Sequence, residues 1–216
     1  MSEARTRLRG DKAEDTRRRM IEAATRHFAQ FGFEGASQRA IQREVGVNPA
    51  TSHYHFGSKE ALYQAVVETF LAQIQRERIE ALEALPDRLP PNEKLTQLLR
   101  GYLGPHIRLA ATEQGFNYAR ILAAIQYKKP DAATAIFDAA VTPVRDRYLA
   151  ALQGLFPQAE PRDVAEALSM AVVLMATAPI RMRRRSIPRA DIPRVIEGVV
   201  GFASAGFLTT LGPVSA

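Results

Sequence analysis

Residues 37–57 read SQRAIQREVGVNPATSHYHFG, and this stretch decides the fold. Ser37 can cap a short helix that carries Ile41 and Val45 on its inner side, and Gly46 stops it. Asn48-Pro49 then supplies an N-cap and a proline at the first helical position, opening a second helix that ends at Gly57. Two short helices joined by a turn of three residues have the spacing of a helix-turn-helix, with Val47 plugging the angle between them. The second helix carries Thr51, Ser52, His53, Tyr54 and His55 in a row. So little aliphatic content makes a poor core helix and a good surface for the major groove of a duplex.

The flanks are helical as well. Upstream, Asp15 can cap a first helix with Ile21, Ala24, Phe28 and Phe31 on one face and Gly32 just past its end. Downstream, Ser58 caps a fourth helix, with Glu60 in its first turn, that meets no breaker before Leu85. Those 28 residues would span about 42 Å at ~1.5 Å per residue, long enough to connect a small module to a larger body. LPDRLPPN (85–92) is the clearest turn. Further helices are expected at 92–112, 115–127, 131–154, 162–178 and 191–211, disturbed by Pro105 and Pro143. No run alternates with the period of a strand. The expected fold is all-α, of about nine helices: a flexible basic arm (1–14), a three-helix helix-turn-helix module (15–60) and a helical body (61–216).

The composition is that of a globular chain: 216 residues, 46% hydrophobic and 24% charged, with 13 Gly, 13 Pro and no Cys. Collagen-like, disulfide-stapled and fully disordered chains are thereby excluded, as is thiolate chemistry. The formal charge of +6 points to an anionic partner without choosing among nucleic acid, a membrane surface and acidic ligands. Residues 1–19 carry six Arg and one Lys against four acids and contain no apolar core of a secretion signal, so a cytoplasmic location is expected. Residues 167–180 and 198–216 are free of charge. The first is too short and the second too interrupted by Gly, Ser, Thr and Pro for a membrane span, so both are expected to be buried core helices.

GFEGASQRAIQREVGVNPATSHYHFGSKEALYQAVV (32–67) resembles the TetR family of transcriptional regulators: a Gly-Phe pair, a Ser cap, a Gly-Val turn, a short Tyr-containing recognition helix, then Ser-Lys-Glu-x-Leu. The resemblance covers residues 15–70 and implies double-stranded DNA, a pseudo-palindromic operator, as partner of a homodimer. It places Gln38 and Arg39 facing DNA, brings Pro49, Ala50 and His53 to base edges, and sets Thr51, Tyr54, His55 and Lys59 on phosphates. The helix N-termini at Asn48 and Ser58 present free N–H groups to an anion. Three positions depart from the pattern: Ser52 where Leu or Ile is usual, Gln42 for Ala, and Ala36 for Thr.

The same resemblance implies that the last two helices form a four-helix interface across a two-fold axis. Leu168, Ala171, Val172 and Met175 would serve on one, and Ile192, Val195, Ile196, Val199, Phe202, Ala203, Gly206 and Phe207 on the other; the alternative is intramolecular core. It also implies an effector pocket in the middle helices, for which Tyr102, Ile107, Phe116, Tyr118, Ile121, Leu122, Tyr127, Phe137 and Met170 are candidates. A lining so poor in charge favours a small hydrophobic effector. FNYARILAAIQYKKP (116–130) is similar to the corresponding segment of fatty-acid-responsive members.

Other clusters carry less. His53 and His55 point to different faces of a helix, so no metal or other cofactor is expected. Arg17, Arg18 and Arg19 are either a solvated face or phosphate contacts, and RMRRRSIPR (181–189) is either a solvated loop or a seat for an anionic head group. No nucleophile elbow, phosphate loop or dinucleotide fingerprint supports an enzyme. The sequence is thus read as a DNA-binding transcriptional regulator, a repressor released by its effector. The contrasting reading is a helical lipid-binding protein that lays its basic arm and Arg cluster on a membrane surface.

Overall fold

The computed structural model describes residues 2–86, 88–125 and 132–214, with side chains from residue 12 onward. Among the described residues there are nine α-helices and no strand: α1 (Ser2–Gly35), α2 (Gln38–Val45), α3 (Pro49–Phe56), α4 (Lys59–Glu83), α5 (Pro91–Leu109), α6 (Glu113–Ile125), α7 (Ala132–Leu155), α8 (Pro161–Arg184) and α9 (Ile192–Leu211). The chain is all-α, as its periodicity requires.

Three of the expected caps form. The amide of Ala40 donates to Ser37 Oγ at 3.4 Å, that of Thr51 to Asn48 Oδ1 at 2.8 Å, and that of Ala61 to Ser58 Oγ at 3.1 Å. Gly46 takes φ +74° at the end of α2 and Gly57 takes φ +72° at the end of α3, a region that glycine enters without the Cβ clash. These devices specify the turn between α2 and α3 through contacts within a few residues of one another.

The first helix departs from expectation at both ends. It begins at Ser2, so residues 2–14, expected as a flexible arm, are helical backbone continuous with α1; Arg, Ala, Leu and Lys propagate a helix well once a longer one is nucleated. At Gly32 (φ 70°, ψ 176°) the helix kinks rather than ends, and one further turn reaches Gly35. Phe31, expected on the inner face, is 51% exposed beside this kink. Phe28 and Phe33, on either side of the kink, pack edge-on against Tyr63 of α4 at 5.1 and 5.2 Å between ring centres.

Helix α4 is continuous through residues 60 and 61, so the expected domain border crosses an unbroken helix. It packs on α5 and α7, α5 packs on α9, α8 on α9, and α1 on α6. Pro105, Pro143 and Pro179 sit inside α5, α7 and α8 without ending them. Pro179 lies at the point where α8 was expected to stop. Instead α8 runs on to Arg184, so part of the 181–189 cluster is helical and not loop. A buried proline is tolerated where packing outweighs the ~3 kcal/mol cost of its missing N–H and ring clash.

Candidate nucleic-acid interface and ligand cavity

Helix α3 is held from behind and free in front. Phe56 and Ser52 are buried, and Ser52 accepts a 3.4 Å hydrogen bond from the Gln38 side-chain amide, so a polar link stands where the family pattern has an aliphatic anchor. Asn48, Pro49, Ala50, His53 and Tyr54 are exposed, Tyr54 at 82%, and Arg39 is exposed on the neighbouring α2. Thr51 and His55 are half-buried. The ten residues singled out in the sequence therefore lie on the two helices of the motif and the start of α4, and six of them are open to solvent.

Two side chains are more committed than the sequence implied. His53 Nδ1 lies 2.9 Å from the Gly57 carbonyl, which can only accept, so Nδ1 carries the proton and Nε2 is left toward solvent. Lys59 donates to the Glu34 carbonyl at 3.1 Å with its ammonium 4.9 Å from the centre of the Phe33 ring. Lys59 thus ties α4 to the turn beyond the Gly32 kink. A second basic group is structural too: Arg19 donates to the Val45 carbonyl at 2.7 Å, closing the C-terminus of α2, while Arg17 lies over the Phe56 ring at 5.5 Å. Arg18 pairs with Asp15 and Glu22 on the surface. Arg26 and His27 of α1 both reach Glu44 of α2, and the Arg26 hydrogen bond, followed by that of His27, holds the Glu44 carboxyl below its ordinary range.

A cavity of about 320 Å³ lies in the body between α4, α5, α6, α7 and α8. Four of the expected pocket residues line it: Tyr102, Tyr118, Leu122 and Phe137. The others do not. Ile107 is fully buried in the core away from this wall, and Phe116 lies under the Arg183 guanidinium at 5.2 Å in a separate shallow depression. Ile121 faces Phe28, Phe33 and Tyr63 at the seam between α6 and α1, and Met170 is 59% exposed on the outside. Tyr127 lies outside the described residues. The wall also holds groups that sequence reasoning missed, among them Leu71, Ile74 and Arg78 of α4 and His106 of α5. Leu71, Ile74 and Arg78 follow the i, i+3, i+7 spacing of one helix face, so the available signal was an arginine in an apolar stripe.

Residues 20–66 match the model of the bacterial regulatory proteins of the tetR family, and residues 100–206 match a tetracyclin repressor-like C-terminal domain. The chain belongs to the TetR family. Its first third is 41% identical over 75 residues to the HTH-type transcriptional regulator UidR of Escherichia coli K12, covering 33% of this chain and 38% of that one. It is 31% identical over 84 residues to the regulator BetI of Rhizobium meliloti, covering 39% and 40%, and 35% identical over 65 residues to the repressor AcnR of Corynebacterium glutamicum, covering 30% and 35%. The match thus spans about four-tenths of the length of these TetR-type relatives, which are transcriptional regulators by name. The whole fold is similar to that of a transcriptional regulator from Pseudomonas aeruginosa PAO1, with a TM-score of 0.63 at 18% identity over 92% of this chain and 94% of that one. A regulator from Rhodococcus sp. RHA1 aligns with a TM-score of 0.61 at 19% identity over 92% and 99%.

Within this TetR-family body the residues expected at a dimer interface divide into two groups. Leu168, Ala171, Met175, Ala203 and Phe207 are at most 5% exposed and pack inside the protomer; Leu168, Val172 and Met175 line the cavity. Both helices are apolar on more than one side, so periodicity alone could not say which side turned inward. The outward side carries Met170, Phe202 at 70% exposure, and the half-buried Val195 and Val199 beside Leu174 and Gly198. Gly206 is exposed, with no atom within 4 Å of where a Cβ would stand. Helices α8 and α9 are long and apolar enough to cross a membrane by length and composition, yet only 39% and 22% of those stretches are buried. The expectation that both would be buried core helices is therefore only half met: one face of each is in the core and an apolar face is left outside.

Proposed function

We propose that this chain is a homodimeric, sequence-specific DNA-binding repressor of transcription, cytoplasmic, whose grip on its operator is released by a small molecule in the body cavity. The observation that carries the reading is the course of α4. It starts at Lys59 against the helix-turn-helix and presents Leu71, Ile74 and Arg78 to the cavity, about 18–28 Å along the same rigid rod at ~1.5 Å per residue. Helix α6 forms a second joint, with Tyr118 and Leu122 toward the cavity and Ile121 toward Phe28 and Phe33. A ligand that displaces either helix moves the recognition helix with it.

The outward apolar face of α8 and α9 supports dimerisation about a two-fold axis, because Phe202 and Met170 would otherwise stand in water. Two recognition helices so related read half-sites about one helical turn (~34 Å) apart. Gln38, Arg39, Pro49, Ala50 and His53 are assigned to base edges or the adjoining backbone, and Thr51, Tyr54 and His55 to phosphates. Selection of binding sites from random duplex DNA tests the reading. An enriched, two-fold-related pair of half-sites, lost on His53→Ala with Tyr54→Ala, is expected; no enrichment over the starting pool overturns it.

A further inference from the structure

Arg78 is 4% exposed, in the middle of α4. Arginine is rarely buried unless a carboxylate accompanies it. Here the Nε donates to the Tyr102 carbonyl at 2.9 Å, Nη2 approaches the Met175 sulfur at 3.8 Å, and the guanidinium lies 3.9 Å from the centre of the Tyr102 ring. A thioether is a weak acceptor, and among the described ion pairs none involves Arg78. The guanidinium therefore stands in the cavity wall with a carbonyl, a thioether and a ring for partners and no carboxylate among them.

Two further polar atoms of the same wall have no partner: His106 Nε2 and the Tyr118 hydroxyl. Both rings stay uncharged at neutral pH. Burial, with Arg78 close by, pushes His106 down to about 3, and burial pushes the Tyr118 phenol well above its ordinary range. The rest of the wall is largely aliphatic and aromatic, as at Leu71, Ile74, Leu122 and Phe137. Asp138 and Arg145 also border it, but Asp138 is exposed and Arg145 is taken up by Thr142 and Asp146.

We infer that the cavity is built for an amphipathic monocarboxylate, its carboxylate on Arg78 with Tyr118 and His106 beside it and its hydrocarbon or arylalkyl tail along the aliphatic wall. A carboxylate accepts the bidentate pair of an arginine fork and has lone pairs to spare for a phenol. A volume of about 320 Å³ lies at the lower end of ligand pockets, which suits a chain of modest length. The anionic head group is thereby assigned to Arg78 and not to the arginines of 181–189. This inference rests on the proposed effector site and names its ligand class.

Calorimetric titration of the full-length protein tests it, with octanoate against octanamide and phenylbutyrate against phenylbutyramide, on the wild type, Arg78→Met and Tyr118→Phe. Each acid is expected to bind the wild type at least about tenfold more tightly than its amide, and Arg78→Met to abolish that preference while amide binding persists. Equal binding of acid and amide, no binding of either pair, or a preference that survives Arg78→Met overturns the inference. Should Arg78→Met lose its helical circular dichroism, Tyr118→Phe decides: the preference falls by about threefold or more, or the inference fails. Site selection on the unliganded protein runs in parallel. Selective DNA binding without a carboxylate preference sinks this inference alone; a carboxylate preference without selective DNA binding sinks the regulator alone.

Discussion

The guanidinium of Arg78 lies 3.9 Å from the centre of the Tyr102 ring while its Nε donates at 2.9 Å to the main-chain carbonyl of that same tyrosine. One residue of α4 is thus fastened to one residue of α5 by both its charge and its hydrogen bond. The hydroxyl of Tyr148 on α7 donates at 2.7 Å to the carbonyl of Arg78 and adds a third helix to the joint. The joint borders the cavity and lies on the helix that follows the helix-turn-helix, so under the proposed function it is where ligand and DNA geometry would be coupled.

Gly101 shows how closely the joint is packed. A Cβ at this position would stand 2.8 Å from Tyr148 Oη and 2.9 Å from the Ala81 Cβ. Alanine normally improves a helix by about 1 kcal/mol over glycine. Gly101→Ala is nevertheless expected to destabilise the fold by about 1–2 kcal/mol, because α4 and α7 must move apart from α5. Urea unfolding checks the sign; a stabilised variant would mean that the joint has slack.

Tyr118 offers the opposite test. Its hydroxyl is buried and unpaired, and such a group costs about 1–3 kcal/mol. Tyr118→Phe is expected to raise stability by about 1 kcal/mol in the absence of ligand while weakening carboxylate binding, a trade of stability for function that a purely structural tyrosine would not show. Paired unfolding and binding measurements on the one variant decide it.

His106 gives the protein an acid limit. Its pKa in the fold is lowered from 6.5 to about 3, chiefly by burial. The unfolded chain therefore binds a proton that the folded chain refuses. The stability present above about pH 6.5 is lost progressively as pH falls toward the folded value, by about 2 kcal/mol between about pH 6.5 and 5. His106→Gln is expected to remove this portion of the acid slope. Urea midpoints at about pH 7 and about pH 5 measure it, and an unchanged slope would show that the ring can reach water.

Tyr54 and Lys59 should separate. Tyr54 is 82% exposed, and Tyr54→Phe is expected to weaken DNA binding at every sequence with less than about 0.5 kcal/mol change in stability. Lys59 donates to the Glu34 carbonyl and covers the Phe33 ring, so Lys59→Ala is expected to cost about 1 kcal/mol of stability in addition to its effect on DNA. Salt-dependent gel-shift titration beside thermal unfolding tells the two roles apart.

Gly206 is the least invasive probe of the dimer. A Cβ there has nothing within 4 Å, so Gly206→Glu is expected to leave the protomer fold intact and to place a charge on the exposed face of α9. A folded monomer by light scattering is the expected outcome, and a dimer of unchanged affinity would move the interface elsewhere.

The helix-turn-helix was legible because its signals are local. Ser37, Asn48 and Ser58 each cap the helix that immediately follows, and Gly46 and Gly57 each supply a turn through their own φ. The body was legible only as helices. Helix α8 was expected only to 178 and runs on through Pro179, because sequence does not show the packing that outweighs a missing N–H. Only some of the residues expected at a pocket line the cavity, because Tyr118 and Ile121, three apart on α6, face different neighbours: one the cavity, the other α1.

The linear chain thus determined the helical class, the caps, the turn and the polar face of α3, since each depends on residues within a few positions of one another. Which apolar face became core, which became cavity wall and which stayed outside was decided by the tertiary structure alone. Leu168 is enclosed while Met170, two residues on, stands in the open; the difference lies in what α5, α6, α7 and α9 bring against α8. The burial of Arg78 belongs to the same category. Along the chain it is marked only as an arginine in the stripe of Leu71 and Ile74, and only the convergence of five helices around one space encloses it there without a carboxylate partner.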